Sequence, residues 1–183
     1  VVLAAGSWTP YLCWRLGLFV PIYPMKGYTA AVDVRAAAPS EQAEFPQRTI
    51  CFPDLFITRL GHQVRLSAFG EFDGFSTKPR ADLEQRLRMQ SQSVSPAMAK
   101  LAPTAPVACG LRPLSADGCI ISGRTDEYAN LYLSVGPGHN GWKTAAGAGA
   151  LIARWVEQGT GVPSTADWGF KAELLSPRGR GKP

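Results

Sequence analysis

The residues best suited to chemistry lie in a glycine-rich turn, Gly136–Trp142, with the sequence G-P-G-H-N-G-W. The turn follows an apolar stretch typical of a strand, Leu131–Val135, and precedes a helix predicted to run from Trp142 to Gln158. Such a connection directs unpaired backbone N–H groups and the positive end of a helix dipole at one place. Glycines also let a flat or anionic group approach the backbone closely. The turn therefore favours an electron-rich ligand, and an ordinary helix start is the alternative.

A second candidate is Arg112, within the sequence C-G-L-R-P-L-S-A-D-G of residues 109–118. A guanidinium is planar and permanently charged, and it can donate two parallel hydrogen bonds to a carboxylate. Arg112 is therefore suited to hold a carboxylate ligand. The structural alternative is an arginine at the end of a strand that pairs with Asp117 or Asp126.

Composition excludes several classes of protein. The 183 residues are 45% hydrophobic and 18% charged, as in one or two small globular domains. The sequence contains neither a secretory signal nor an apolar run long enough for a membrane helix, which predicts a soluble protein of the cytoplasm or an organelle. The net charge is +5, but the basic residues cluster only in the tail S-P-R-G-R-G-K-P. We interpret this tail as solvated, so no nucleic-acid partner is expected.

The inventory of metal ligands is small. Two histidines accompany four cysteines that lie far apart, without a C-x-x-C spacing. We therefore expect no structural zinc site and, without a secretory signal, reduced thiols.

The elements that position the candidate residues are mostly strands. Strands are predicted at Val1–Ala5, Met25–Val34, Thr49–Ile57, Gln63–Phe69, Val107–Leu111, Ile120–Ile121 and Leu131–Val135. Helices are predicted at Ser7–Leu16, Pro79–Gln92 and Trp142–Gln158. Because strands and helices do not strictly alternate, the fold class is α+β, with a mixed, largely antiparallel sheet and flanking helices.

These patterns predict two sets of contacts between elements. The four strands predicted between residues 25 and 111 should share one sheet, against which the Pro79–Gln92 helix packs. Val1–Ala5 should lie beside Leu131–Val135, covered by the last helix. Val1–Ala5 is typical of a buried parallel strand, yet nothing precedes it, so we expect that an N-terminal portion is missing and that this edge is poorly protected.

Taken in order, four segments resemble the C-terminal half of the FAD-dependent D-amino-acid dehydrogenase and glycine oxidase family. They are A-A-G-S-W (4–8), P-I-Y-P-M-K-G-Y (21–28), C-G-L-R-P-L-S-A-D-G (109–118) and N-L-Y-L-S-V-G-P-G-H-N-G-W-K (130–143). Family members hold FAD in an N-terminal Rossmann-like domain with a G-x-G-x-x-G motif. This sequence has those letters only in its late turn, at residues 136–141, and lacks an N-terminal copy. The resemblance implies that residues 1–20 and 130–160 are a remnant of that domain, 21–129 a substrate domain, and 161–183 an extension with a basic tail.

The resemblance also implies roles for individual residues. It places Arg112 on the carboxylate of an amino-acid substrate, with Tyr28 and Lys143 as further substrate residues. The implied cofactor-binding residues are Gly6, Gly136, Gly138, His139, Asn140, Gly141 and Trp142. Three of these side chains have an ordinary alternative. Tyr28 could be a strand tyrosine in the core, and Lys143 and His139 could be exposed to solvent.

Cys109 raises a separate question. The related sarcosine oxidases attach FAD covalently to a cysteine near this position, whereas members similar to glycine oxidase carry a cysteine here without that bond. A buried strand cysteine that acts as a small hydrophobic residue is the favoured interpretation.

The implied activity is oxidation of the CH–NH2 group of an amino acid, a D-amino acid or a glycine-like amine, by hydride transfer to flavin N5. The imino acid would hydrolyse to a 2-oxo acid and ammonia, and a neutral amine needs no protein base. Expected partners are this small molecule and the N-terminal FAD-domain portion. The alternative is a cofactor-free substrate-domain fragment or partner subunit without activity of its own, which the lack of an N-terminal G-x-G-x-x-G motif favours.

Overall fold

The computed structural model describes residues 1–159, 161–178 and 180, and within them the chain forms two compact units. One unit comprises Val1–Met25 and Arg112–Pro183, and the other comprises Lys26–Leu111. The predicted divisions lay at residues 20/21 and 129/130 instead. Residues 112–129 group with the first unit because a strand within them pairs with Tyr132–Val135.

The Lys26–Leu111 unit is built on a five-stranded sheet. Its strands are β2 (Ile22–Asp33), β3 (Ile50–Cys51), β4 (Leu55–Leu60), β5 (Gln63–Glu71) and β6 (Val107–Ser115). The strand order is β3-β4-β5-β2-β6, with antiparallel pairing of β3 with β4, β4 with β5, and β2 with β5. The prediction that these segments share one sheet is confirmed. The unit boundaries fall inside β2 and β6.

One predicted strand, Thr49–Ile57, is two strands joined by a tight turn. Phe52 N–H donates to the Leu55 carbonyl at 2.8 Å, and Ile50 pairs with Ile57. The turn contains Pro53, which has no N–H to donate to a strand ladder, so the chain reverses there.

Two helices cover one face of this sheet. They are α2 (Ala81–Gln92), close to its predicted bounds, and α3 (Pro96–Leu101), which was not predicted. Leu87 of α2 and Met98 of α3 are fully buried with strand residues such as Leu66. The packing of α2 on the sheet is confirmed. The Ser95 hydroxyl caps α3 by accepting from Met98 N–H at 3.2 Å.

A β-bulge changes which residues of β5 face the core. On β2, Tyr28 pairs with Ala68, but Lys26 pairs with Glu71, so β5 carries one extra residue there. Phe69, within the bulge, has a φ of 61°, a left-handed conformation that is rare for a residue with a side chain. The extra residue moves Glu71 onto the face of β2 that carries Lys26 and Tyr28.

The other unit contains a three-stranded sheet of β1 (Val2–Leu3), β8 (Tyr132–Val135) and β7 (Ile121–Arg124), in the order β1-β8-β7. Val2 pairs in parallel with Tyr132, which confirms the predicted adjacency. In the part of the chain that the structure describes, β8 is the only partner of β1. Val2 is 44% exposed and the strand lies at the edge of this sheet, which agrees with the predicted poorly protected edge.

Helices complete this unit. The chain continues from β1 through a 3-10 turn, Gly6–Trp8, into a short helix, α1 (Thr9–Trp14). The long helix α4 (Gly141–Gln158) packs against β7 and β8 through Leu151 and Trp155, both buried. No helix among residues 1–159, 161–178 and 180 is long and apolar enough to cross a membrane.

Two arginines of the basic tail bind the fold, which corrects the interpretation of the tail as solvated. Arg178 pairs with Asp126 at 2.9 Å. Arg180 forms an ion pair with Asp117 and donates to the Ile120 carbonyl at 2.8 Å. The remaining tail residues Gly179 and 181–183 lie outside the described residues.

Candidate functional site

The glycine-rich turn requires glycine at its first position. Gly136 has a φ of 79°, which L side chains rarely adopt. A Cβ built on Gly136 would lie 2.7 Å from Ile22 Cδ1 and 3.1 Å from Ser115 Cβ, both closer than normal contact. The Ser115 hydroxyl also donates to the Gly136 carbonyl at 3.3 Å. Backbone conformation and packing thus fix the path of the chain as it leaves β8.

The start of α4 is exposed, and a 3-10 turn, Gly138–Asn140, leads directly into it. Within the described chain, no side-chain hydrogen bond caps this helix at Asn140. The Thr144 hydroxyl instead donates to the Asn140 carbonyl at 3.0 Å. Trp142 is 97% exposed, and His139 is exposed as well. An exposed helix start without a side-chain cap suits an electron-rich ligand, so these residues fit such a group.

Two contacts bring the other candidate segments to this turn. An isolated antiparallel bridge joins Leu114, at the end of β6, to Pro137. A Cβ on Gly6 would lie 4.0 Å from Pro113 Cγ, which places the turn after β1 beside the same strand end. Arg112 immediately precedes these two positions. The structure therefore brings the strand end that carries Arg112 together with Gly6 and the Gly136–Trp142 turn.

Arg112 is half-buried, and burial lowers the pKa of its guanidinium below the ordinary value. The two carboxylates proposed as its structural partners are engaged elsewhere, since Asp117 pairs with Arg180 and Asp126 with Arg178. The role of Arg112 stays a prediction.

Lys143 is exposed in the first turn of α4. It also lines an apolar cavity of about 260 Å³ that α4 forms with the segment containing Trp168 and Phe170. A cation in a first helical turn opposes the helix dipole, so its placement there has no stabilising effect on the helix. Its role stays a prediction.

Tyr28 lies in a charged network that sequence reasoning missed. The Tyr28 side chain is fully buried, and its hydroxyl donates to Glu71 Oε2 at 2.7 Å. The same hydroxyl accepts from Arg80 N–H at 3.1 Å. Arg80 Nη1 in turn donates to Glu71 Oε1 at 2.9 Å. The hydroxyl therefore already has a donor and an acceptor within its own unit.

Lys26 is the centre of this network. Its side chain is fully buried, and Nζ lies 2.6 Å from Asp73 Oδ2 and 3.0 Å from Glu71 Oε2. Nζ also donates to the Lys78 carbonyl at 3.1 Å. A buried ammonium is tolerated only where it is paired and hydrogen-bonded, and these three acceptors meet that condition. A signal existed in the sequence, because Lys26 shares the two-residue period of the core residues Tyr28 and Ala30.

The network shifts both of its central pKa values. Hydrogen bonds from Tyr28, Lys26 and Arg80 lower the pKa of Glu71 from its ordinary 4.5 to about 2, although burial opposes the shift. The carboxylate of Asp73, and then that of Glu71, raises the pKa of Lys26 above its ordinary 10.5, again against burial. The charged forms of both residues are therefore favoured in the folded state.

These shifts predict how stability depends on pH. Because the pKa of Glu71 is lowered on folding, its contribution is present above pH 4.5 and is lost as pH falls towards 2. Because the pKa of Lys26 is raised, its contribution is present below pH 10.5 and is lost only at higher pH. Thermal unfolding of the wild type and Glu71→Gln should show a smaller loss of Tm in the variant between pH 4.5 and pH 2.5. Equal losses would contradict this assignment.

Cys109 lies in β6, half-buried against the hydrophobic core of its unit. Burial raises the pKa of its thiol, so the reactive thiolate is disfavoured. All four cysteines are free thiols. Within the described ranges, no group of three or more His, Cys, Asp or Glu residues is placed to hold a metal ion.

Residues 1–155 match the model of a protein family described as FAD dependent oxidoreductase (DAO). The chain belongs to this family. The match confirms the resemblance that the four ordered segments indicated, and it ends within α4, before the segment that contains Trp168 and Phe170.

Individual relatives that are similar in sequence are oxidoreductases by name. The D-amino acid dehydrogenase of Granulibacter bethesdensis is 34% identical over 157 residues, which are 85% of this chain and 36% of that protein. An uncharacterised oxidoreductase of Halorhodospira halophila is 37% identical over 165 residues, which are 87% of this chain and 72% of that protein. The chain thus spans 36% of the length of the Granulibacter dehydrogenase.

A solved structure has a similar fold. Iminodiacetate oxidase from Chelativorans sp. BNC1 superimposes with a TM-score of 0.78 at 23% identity, over 96% of this chain and 45% of that chain. The mixed α/β fold with antiparallel sheets is confirmed by this similarity.

Proposed function

We propose that this chain is part of a FAD-dependent enzyme that oxidises the CH–NH2 group of an amino acid, a D-amino acid or a glycine-like amine. The observation that carries the proposal is the bridge between Leu114 and Pro137, which joins the strand end that carries Arg112 to the uncapped start of α4. An anion-binding side chain and an electron-rich ligand site at one place suit an amino acid held beside a flavin.

The flavin side of this site would be formed by Gly6 and the Gly136–Trp142 turn. The dipole and the first N–H groups of α4, a helix without a side-chain cap, would stabilise negative charge there. Bound FAD would supply the acceptor for the hydride that leaves Cα. The exposed His139 and Trp142, with Gly138, Asn140 and Gly141, complete the proposed cofactor-binding set.

The substrate side would depend on Arg112. Two hydrogen bonds from its guanidinium to the carboxylate would orient Cα–H, and Lys143 and Tyr28 are the further proposed substrate residues. The amine must be neutral for hydride to leave, so no side chain needs to act as a base. Loss of hydride and one proton gives the imino acid, which water converts to a 2-oxo acid and ammonia.

We also propose that residues 1–20 and 130–160 belong to a Rossmann-like FAD domain, with an N-terminal portion as their partner. Residues 21–129 would belong to a substrate domain. The parallel pairing of β1 with β8 beneath α4 supports the first assignment.

Absorbance tests the proposal. A purified protein that contains this chain should show a flavin spectrum, release FAD on denaturation, and lose its flavin absorbance when a D-amino acid is added without oxygen. A colourless protein that does not bind added FAD would instead favour a cofactor-free fragment or partner subunit.

A further inference from the structure

Arg180 in the tail holds the connection between β6 and β7, residues 116–120, which we call the β6–β7 turn. Its guanidinium forms an ion pair with Asp117, near the start of this turn. Its Nη1 also donates to the Ile120 carbonyl, at the end of the turn, at 2.8 Å. The side chain of Arg180 is 15% exposed, so both contacts are largely shielded from water. One guanidinium therefore ties the two ends of the β6–β7 turn together.

The tail reaches this position along a fixed path. Ser176 is buried, and its hydroxyl accepts from Arg178 N–H at 3.3 Å. Pro177 packs on β7, since a Cβ built on Gly123 would lie 3.2 Å from Pro177 Cδ. Arg180 N–H then donates to the Pro177 carbonyl at 3.2 Å. Because the backbone is already ordered here, Arg180 loses less conformational entropy on pairing than a typical arginine at the surface.

The β6–β7 turn packs on the start of the glycine-rich turn. The hydroxyl of Ser115, which precedes the β6–β7 turn, donates to the Gly136 carbonyl at 3.3 Å. A Cβ built on Gly136 would lie 3.1 Å from Ser115 Cβ and 3.6 Å from the Cys119 carbonyl oxygen. The Asp117 carboxylate shapes this surface by accepting from Cys119 N–H at 3.0 Å. The same carboxylate thus pairs with Arg180 and holds the residues that Gly136 contacts.

We propose that Arg180 is a positioning residue for the glycine-rich turn, Gly136–Trp142, and that it acts through Asp117 and the β6–β7 turn. Direct contacts within one compact unit link the guanidinium to the point where the chain leaves β8. Glycine has a wide choice of backbone conformations, so the path at Gly136 depends on the contacts around it. Release of the β6–β7 turn would therefore loosen the glycine-rich turn. The consequence for flavin rests on the proposed function.

Hydrogen exchange tests the positioning role without flavin or activity. In the full chain, Arg180→Met should speed exchange of the amides of residues 136–141 by about tenfold, because the local opening that limits exchange then costs less free energy. Arg180→Lys should recover part of the protection, since an ammonium can pair with Asp117 but lacks the fork of donors that also reaches Ile120. Unchanged exchange at residues 136–141 in Arg180→Met would overturn the proposal.

A matched control lies in the same unit. Arg154 also joins a carboxylate to a backbone carbonyl, since it pairs with Asp167 at 2.9 Å and donates to the Ser164 carbonyl at 2.8 Å. Arg154→Met should speed exchange near its own partners and leave residues 136–141 at the wild-type rate. Equal acceleration at residues 136–141 in the two methionine variants would show a general loss of stability and would also overturn the proposal.

A double-mutant cycle tests the route through Asp117. Asp117→Asn keeps an oxygen that can accept from Cys119 N–H but removes the charge that Arg180 pairs with. Because both substitutions break the same contact, the double variant should exchange at residues 136–141 no faster than Arg180→Met alone. Accelerations that multiply in the double variant would show that the two residues act independently, contrary to the proposal.

Flavin binding tests the consequence for the site. In a purified protein that contains this chain, Arg180→Met should raise the Kd for FAD by about tenfold, because the competent form of the turn is then less populated. Arg154→Met should leave this Kd unchanged, although both variants lower Tm. An unchanged Kd in Arg180→Met would overturn the link between Arg180 and the site. Wild-type protein that binds no FAD would refute the proposed function and leave the exchange result intact.

Discussion

Arg112→Leu is expected to raise KM for the amino-acid substrate by a factor that corresponds to a loss of about 2–5 kcal/mol in binding free energy. The reason is that the substrate carboxylate loses a bidentate, charged hydrogen-bond donor. The flavin content should stay nearly unchanged. Steady-state kinetics and flavin absorbance of the same preparations measure both quantities. Arg112 lies at the strand end joined to the glycine-rich turn, so the effect should fall on substrate binding and orientation.

Two further variants calibrate the effect of Arg112. Arg112→Lys should recover part of the loss, since a single ammonium replaces only part of a bidentate contact. Lys143→Ala should cost less or shift the flavin absorbance instead, because Lys143 is exposed at the helix start. Wild-type KM in Arg112→Leu would make Arg112 a structural residue.

Gly136→Ala should lower the free energy of unfolding by about 2–4 kcal/mol, the sum of a left-handed alanine and an overpacked core. The added methyl would meet Ile22 Cδ1 at 2.7 Å and Ser115 Cβ at 3.1 Å, and Ile22 is buried among its neighbours. Denaturant or thermal unfolding measures the change.

A matched control separates strain from packing. Gly17 has a φ of 73°, close to that of Gly136, but a Cβ on Gly17 would meet no atom within 4 Å. Gly17→Ala should therefore show only the conformational cost of about 1–2 kcal/mol. Equal losses in the two variants would show that the turn can move, and that its path is not fixed by packing.

Much of the fold could be predicted because its patterns are local. β5 shows the two-residue alternation of Val64, Leu66 and Ala68, and it begins at the predicted residue. α4 begins one residue before its predicted start, where the glycine turn gives a clear signal. α3 had a signal as well, Ser95-Pro96, but a helix of six residues has too little periodicity to support it.

The charged network around Lys26 could not be predicted from local sequence patterns. The spacing of Lys26 places it among core residues, yet its partners depend on a bulge that no residue type in β5 announces, since the left-handed position is occupied by Phe69 and not by the adjacent Gly70. The grouping of residues 112–129 with the first unit depends on the pairing of β7 with β8, a long-range contact that composition does not encode.

The bulge also makes the length of β5 a constraint on how this sequence can diverge. Glu71 stands three residues after Ala68, so on a regular ladder its carboxylate would lie on the opposite side of the sheet from Lys26. Deleting one residue between Ala68 and Glu71 would remove the bulge and keep the glutamate opposite Lys26, whereas inserting one would turn the carboxylate away. An insertion would leave Lys26 in the core with one carboxylate fewer, so it must be accompanied by loss of the lysine. Homologous chains that keep a lysine at this position are therefore expected to keep this spacing to the glutamate, or one that is shorter by a single residue.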